Sequence, residues 1–129
     1  MILLDTHILI WLLIAPENLA PKAKKAILAA RKSGSLALSA ISLWEMAWLV
    51  QNKRIEVDVS VDSFVKKCAS YVQVLAVTQE IAVRSVQFPK SYPSDPQDRI
   101  IGATALVEGI RLLTQDKLIV KSGLIPLAE

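Results

Sequence analysis

Four carboxylate side chains stand at positions where α/β proteins place functional groups. Asp5 and Asp116 each follow a short apolar stretch that is predicted to be a strand, and Glu45 and Asp98 are predicted in the first turn of a helix. In a parallel sheet with right-handed crossovers, the carboxyl ends of strands and the amino ends of the following helices share one edge. The pattern therefore predicts that these acids meet at one edge of a sheet.

Each acid also has a purely structural explanation. Ser42 and Glu45 fit a capping box at the start of a helix. Asp95 fits a helix N-cap, and Asp98 would then complement the helix dipole. The remaining two acids could cap short helices of their own. Capping alone does not explain why all of the acids are predicted at the same edge.

A cluster of carboxylates has a physical consequence. Carboxylates held close together repel one another, and some would be protonated unless a cation neutralised them. Oxygen ligands without His or Cys clusters suit Mg²⁺ or Mn²⁺. Such ions, alone or in pairs, activate water and stabilise an in-line displacement at phosphorus. A small chain with a net charge of +3 and such a cluster fits a metal-dependent phosphodiesterase or nuclease.

Other catalytic arrangements have weaker support in the sequence. The chain has 4 glycines and no GxGxxG fingerprint for a dinucleotide. A Ser-His-Asp or Cys-His site would depend on the single histidine, His7, and the nucleophile-elbow motif is missing. We predict that His7 lies at a helix entry or in a pocket wall. Trp11, Trp44 and Trp48 are predicted on helices, and the last two share a face suited to core or subunit packing.

Length and composition indicate one globular domain over residues 1–129. A hydrophobic fraction of 53% and a charged fraction of 21% exclude a disordered chain. No stretch reaches the roughly 18 apolar residues of a spanning helix, and the amino terminus lacks the basic region of a signal peptide. One cysteine, Cys68, favours a reducing compartment. We therefore expect a cytoplasmic protein without a membrane partner.

Apolar runs and turn signals predict strands that alternate with helices. Strands are predicted at 2–4, 36–38, 72–77 and 111–113, with a short terminal strand near Leu124. Helices are predicted at about 8–13, 21–32, 42–52, 62–70, 78–86 and 95–109, with a last turn around Leu118. Residues 55–61 are expected to form a connection. This alternation indicates an α/β fold with a parallel sheet that helices cover on both faces.

Four stretches in order along the chain resemble the PIN-domain nucleases. They are LLDTH at 3–7, SAISLWE at 39–45, DPQDRIIGATA at 95–105 and LTQD at 113–116. Within that family, the chain resembles the VapC-type toxins of bacterial toxin–antitoxin systems. The Asp-Pro-x-Asp-Arg stretch in combination with the other three is the most specific part of the resemblance.

The resemblance implies a three-layer α/β/α sandwich with a mostly parallel five-stranded sheet. It also implies a Mg²⁺- or Mn²⁺-dependent endoribonuclease that hydrolyses RNA phosphodiester bonds. Asp5, Asp98 and Asp116 would hold the metal directly or through water, and Glu45 would orient a water or a second ion. By the same resemblance, we expect a homodimer and an antitoxin protein that covers the active-site groove.

Three further residues receive expected roles from the resemblance. Thr6 and Thr114 would be hydroxyl supports beside the acids. Arg99 follows Asp98 into its helix, and we expect it to form an ion pair with a neighbouring carboxylate rather than to meet phosphate. Asp95 is expected to be a helix cap and not a metal ligand.

Two alternatives belong to other functional classes. A receiver-like signalling module also clusters acids at strand ends, but Leu4 stands where such a module would carry a second acid beside Asp5. A non-catalytic RNA- or protein-binding domain on a degenerate nuclease scaffold is the other alternative. The presence of the complete set of acids argues against it.

Overall fold

A parallel sheet forms the centre of the molecule, and the computed structural model describes residues 1–128. Its strands are β1 (Ile2–Leu4), β2 (Leu36–Ser39), β3 (Gln73–Leu75) and β4 (Arg111–Leu113). The order across the sheet is β3-β2-β1-β4, and all neighbours are parallel. Leu4 lies opposite Leu38 on one side and Leu113 on the other. The first strand is therefore central, and its carboxyl end is flanked on both sides.

Helices follow the strands as the sequence predicted. They are α1 (Thr6–Ile14), α2 (Pro21–Lys32), α3 (Ala40–Gln51), α4 (Val61–Ser70), α5 (Gln79–Ser85), α6 (Pro96–Glu108) and α7 (Lys117–Ser122). Pro21 begins α2, and Gly109, with φ of 66°, ends α6. Residues 52–60 form turns and bends between helices, as expected. Within residues 1–128, no helix combines the length and apolarity that a membrane crossing requires.

The core lies on both faces of the sheet because alternate residues of each buried strand point to opposite sides. On β1, Ile2 and Leu4 pack into one cluster with side chains from α1 to α4. Leu3 packs into the other with Ile101 from α6 and Ile119 from α7. All three β1 residues are buried, which is typical of a parallel sheet covered by helices. The predicted three-layer α/β/α architecture is confirmed.

The predicted fifth strand is not formed among the described residues. In its place, Leu127 makes one isolated parallel bridge with Leu112 of β4. The Leu112 amide donates to the Pro126 carbonyl at 2.9 Å, and the Ala128 amide returns a bond to Leu112 at 2.9 Å. Gly123 ends α7 only three residues before Pro126, which has no amide hydrogen to continue a ladder. The sheet therefore has four strands, and the expectation of five was wrong.

Candidate active site

The predicted acids come together in one cleft at the carboxyl edge of the sheet. Asp5 follows β1, Asp116 lies three residues beyond β4, Asp98 is in the first turn of α6, and Glu45 is on α3. All four line a cavity of about 280 Å³. The crossovers that cover a parallel sheet place these residues together although 111 positions separate the first from the last. The convergence predicted from the sequence is present.

Asp5 is fixed by hydrogen bonds to both of its carboxylate oxygens. Its backbone amide donates to the Leu113 carbonyl at 3.0 Å, which places it beside the end of β4. Its Oδ1 accepts from the Thr6 amide at 2.8 Å, so Asp5 also caps α1. Its Oδ2 accepts from Thr114 Oγ1 at 2.6 Å. One carboxylate thus joins a strand end, a helix start and the neighbouring strand end.

Thr114 connects two of the acids. Its hydroxyl donates to Asp5 and accepts from the backbone amide of Asp116 at 3.1 Å. Asp116 Oδ1 in turn accepts from the amides of Leu118 and Ile119 at 2.9 and 3.2 Å and caps α7. Thr114 is therefore located where a hydroxyl support was expected. The capping explanation for Asp116 also holds, and it orients the carboxylate at the cleft.

Thr6 supports the site in a different way from the one expected. Its side chain is fully buried, and its hydroxyl donates to Ser42 Oγ at 2.8 Å, not to an acid. Only its backbone amide contacts Asp5. The Thr6–Ser42 bond joins the first turn of α1 to α3, which carries Glu45. Thr6 is thus positioned to fix the relative placement of two cleft-lining helices.

The capping box predicted at Ser42 and Glu45 is wrong. Ser39 is the N-cap of α3, and its hydroxyl accepts from the Ile41 amide at 3.4 Å. Because α3 begins at Ala40, Glu45 lies in the second turn instead of the first. Ser42 is inside the helix and engaged with Thr6. Glu45 is therefore not a helix cap, and it lines the cleft.

The carboxylates of the cleft repel one another when they are ionised. Burial, together with the charges of Asp5, Glu45 and Asp116, raises the pKa of Asp98 to about 7. Burial likewise raises the pKa of Asp5, against hydrogen bonds from Thr114 and Thr6 that lower it. Asp95 occupies the N-cap position of α6, as expected, but its side chain makes no capping hydrogen bond. Around neutral pH, part of the Asp98 population is protonated while the cleft contains no cation.

Among the residues that the structure describes, Arg99 does not form the expected ion pair. Its guanidinium donates to backbone carbonyls in the loop before α6, those of Phe88, Pro89, Tyr92 and Pro93, at 2.9 to 3.3 Å. Prolines and tight turns leave carbonyls without ladder partners, and the planar fork of five donors suits several of them at once. The expectation of an ion pair was wrong because the loop carbonyls compete for this side chain.

Tyr92 supports the amino end of α6, and the sequence patterns did not indicate it. Its side chain is buried, stacks on Phe88 with ring centroids 4.2 Å apart, and donates to the Asp98 carbonyl at 3.3 Å. A Cβ on Gly102 would lie 3.1 Å from Tyr92 Cζ and 3.2 Å from Phe88 Cζ. The glycine within α6 therefore lets the aromatic pair approach the helix one turn after Asp98. A glycine inside a predicted helix was the available signal.

His7, Trp11, Gln97 and Gln115 also line the cleft. His7 lies in the pocket wall, as predicted, with its ring centroid 5.8 Å from that of Trp11. Gln115 accepts from the Ala20 amide at 3.1 Å and donates from Nε2 to a carbonyl at Asn18 at 3.2 Å. It therefore joins the cleft to the start of α2. These contacts depend on tertiary packing and leave no local pattern in the sequence.

The donor set of the cleft suits a hard divalent cation. Its acidic side chains are carboxylates, and the raised pKa values of Asp5 and Asp98 mean that added positive charge would stabilise the ionised forms of these two. No group of three or more His, Cys, Asp or Glu side chains within residues 1–128 has a metal-binding arrangement. Two of the carboxylates are engaged as helix caps. By charge and by donor type, although not by their arrangement, the residues fit a divalent cation.

Comparisons with known proteins identify the same family that the sequence motifs resemble. The PIN-domain family model matches residues 2–121. Ribonuclease VapC22 of Mycobacterium tuberculosis (strain ATCC 25618 / H37Rv) is 38% identical over 116 residues, which cover 90% of this chain and 87% of the relative. A toxin-antitoxin complex from Klebsiella pneumoniae contains a chain with 27% identity and a TM-score of 0.65, over 90% of this chain and 87% of that one.

A further solved structure shows the fold alone. It is VapBC2 from Rickettsia felis bound to a DNA fragment from their promoter, with 16% identity and a TM-score of 0.75. The match covers 99% of this chain and 98% of the other. Together with the family model and the curated relative, this agreement extends over nearly the whole chain. The chain therefore belongs to the PIN-domain family, and within it to the VapC-type proteins.

Proposed function

We propose that this protein is a metal-dependent endoribonuclease and the toxin of a toxin–antitoxin pair. The observation that carries the proposal is the convergence of Asp5, Glu45, Asp98 and Asp116, from four different elements, in one cleft. RNA as the substrate is supported by the 38% identity to a ribonuclease. A receiver-like signalling role has no support from a chain that belongs to the PIN-domain family.

Asp5, Asp98 and Asp116 would hold Mg²⁺ or Mn²⁺, directly or through water. When bound, the cation supplies the positive charge and the water activation that hydrolysis of a phosphodiester requires. Asp98 is disfavoured as an anion by burial and by the neighbouring acids, so the charge of the cation would stabilise its ionised form. The backbone contacts of Asp5 and Asp116 hold their carboxylates in fixed orientations before any ion arrives.

Glu45 would orient the attacking water and accept its proton. Its carboxylate lines the cleft and has no helix-capping role. The Thr6–Ser42 hydrogen bond fixes α3 against α1, and so it holds Glu45 at a constant distance from the start of α1. Arg99 and Tyr92 act indirectly, because they hold the loop and the first turn of α6 that position Asp98. Precise placement of this kind accounts for much of the rate of phosphoryl transfer.

The partners of the protein follow from the same proposal. A relative was solved in a structure described as a toxin-antitoxin complex, which supports a cognate antitoxin. We propose that this antitoxin covers the cleft. We propose a homodimer as well, and Trp44 and Trp48 on α3 are 55% and 41% exposed and suit packing between subunits. A cytoplasmic location fits an RNA substrate and the single cysteine, Cys68, which is a free thiol.

Cleavage of total RNA with and without EDTA tests the chemistry. We expect cleavage in Mg²⁺ or Mn²⁺ that EDTA abolishes, and a loss of at least roughly 100-fold in Asp98→Asn because a metal ligand is removed. Asp95→Asn is the matched control, since Asp95 lines the same cleft three residues away and is expected to retain activity. Cleavage that survives EDTA, or full activity in Asp98→Asn, would contradict the proposal.

A further inference from the structure

An aromatic wall, formed by His7 and Trp11 on α1, lies beside the acids of the cleft. The two residues are one helical turn apart, and both line the cavity. Their ring centroids are 5.8 Å apart and the ring planes meet at 55°. His7 is exposed, and Trp11 is partly buried against the core cluster on the α1 side of the sheet. The cleft therefore has one charged side and one aromatic side.

The two sides suit different parts of a nucleotide. The carboxylates repel phosphate oxygens except where a cation lies between them. Aromatic rings carry no such penalty and provide flat surfaces on which unpaired bases stack. Neither Lys nor Arg lines the cleft among the described residues. Affinity for RNA at this point must therefore come from contacts other than direct pairing of phosphate with a basic side chain.

We propose that the His7–Trp11 wall binds an unpaired nucleobase next to the phosphate that is cleaved. The inference rests on the proposed ribonuclease function and adds to it a surface that holds one base of the substrate. A base inside a duplex is stacked on both faces and cannot lie against these rings, so paired RNA is excluded from the cleft. Gln97, which lines the same cavity, offers an amide that can hydrogen-bond to the edge of the base.

The placement of Trp11 favours recognition over mere helix stabilisation. One side of Trp11 packs against the core, so its indole is held in place before RNA binds. An aromatic pair four residues apart also stabilises an isolated helix, but α1 already has an Asp5 cap and buried Ile8, Leu9 and Ile10. Helix stability alone does not require His7 to be exposed in the cavity that contains the acids. The wall is therefore available to a ligand without reorganisation of α1.

Binding of short single-stranded RNA by variants in a Glu45→Gln background, which keeps the proposed metal ligands, tests the inference without cleavage when Mg²⁺ is present. We expect His7→Ala and Trp11→Leu each to weaken binding by about 10-fold, because each loses part of a stacking surface. Leu28→Ala is the control, since Leu28 is exposed on α2 and does not line the cleft. It should bind like the parent. His7 is exposed, so His7→Ala keeps the test valid if Trp11→Leu folds poorly.

An abasic nucleotide moved along the RNA distinguishes base stacking from an indirect effect. At one position it should weaken binding by the parent about 10-fold and add little to the loss in His7→Ala or Trp11→Leu. Equal abasic penalties in parent and variants at every position would overturn the inference, as would unchanged binding of intact RNA. If the parent shows this base-dependent binding but its wild-type form cleaves no RNA, the proposed function fails and the inference about the wall stands.

Discussion

Thr114 is the residue on which the order of the cleft depends most directly. Within residues 1–128, its hydroxyl is the one side-chain group that joins Asp5 to the segment carrying Asp116. Buried hydrogen bonds that orient ligands for a metal affect activity nearly as strongly as the ligands themselves. The position next to β4 was indicated by the sequence, because a hydroxyl two residues before an acid at a strand end is part of the family resemblance.

Replacement of Thr114 by valine keeps the shape of the side chain and removes the hydroxyl. We expect metal-dependent RNA cleavage to fall by roughly 10- to 100-fold, because Asp5 loses the bond that fixes its Oδ2. Thr114→Ser retains the hydroxyl and is expected to keep most of the activity. The measurement is the rate of cleavage at saturating Mn²⁺, with the thermal midpoint as a check on folding. Equal rates for the valine and serine variants would contradict this role.

Local chemistry explains which residues of the site were predictable. The four acids stand beside strand ends and helix starts, and these boundaries can be recognised from apolar runs. Tyr92 and Trp11 were not assigned to the site, because their positions depend on how a loop folds back or how a helix is rotated. Arg99 shows the same limit, since its partners are loop carbonyls that no spacing pattern reveals.

At the scale of elements, α6 depends on a close contact with the loop that precedes it. Gly102 permits the stacked pair of Phe88 and Tyr92 to lie against the helix, and Tyr92 donates to the Asp98 carbonyl in the first turn. A glycine in a helix interior costs about 1 kcal/mol relative to alanine. Glycine at position 102 thus permits the close contact with the tyrosine hydroxyl and has a lower helix propensity than alanine.

Gly102→Ala should destabilise the protein by roughly 1–3 kcal/mol, because the new methyl group overpacks the contact with Tyr92. Tyr92→Phe in the same chain removes the hydroxyl that approaches most closely. The double variant is therefore expected to recover part of the loss. Denaturant unfolding of the parent, both single variants and the double variant gives the coupling free energy. Strictly additive effects, or a stabilised Gly102→Ala protein, would show that the contact is not tight.

Most helix boundaries were predictable because they depend on local signals. Pro21 begins α2, Thr78 caps α5, and Gly109 ends α6, each as the sequence predicted. The start of α3 was misplaced because Ser39 and Ser42 both suit an N-cap, and only the bond from Thr6 shows which serine is inside the helix. The predicted terminal strand is not formed for a different reason. The chain reaches β4 at Pro126, which has no amide hydrogen to continue a ladder, and only one bridge forms there among the described residues.

The whole molecule concentrates destabilising charge in one place. The raised pKa of Asp98, about 7 against an ordinary 3.8, means that the folded state holds a proton more tightly than the unfolded chain. Stability from this group is therefore greatest at low pH and falls as pH rises from about 4 to about 7. Asp5, whose pKa is also raised, acts in the same direction.

Metal-free protein should accordingly lose stability between pH about 4 and about 7. Asp98→Asn should lose less, by roughly 1–2 kcal/mol after allowance for solvent screening. Mg²⁺ or Mn²⁺ should raise the thermal midpoint of the parent at the higher pH more than that of Asp98→Asn. Asp58→Asn, at an exposed acid in the loop before α4, is the control. Identical pH profiles for the parent and Asp98→Asn would contradict this account.

The engagement of Arg99 with the loop carbonyls has a consequence for how the protein responds to its surroundings. A guanidinium paired with Asp98 would have offset one negative charge of the cleft permanently. Because Arg99 is held elsewhere, the acid-lined cleft stays anionic and repels a polyanion until an ion occupies it. Ion and RNA should then bind with positive cooperativity, each raising the affinity for the other by the same factor. The free concentration of divalent metal would in this way set a threshold for toxicity.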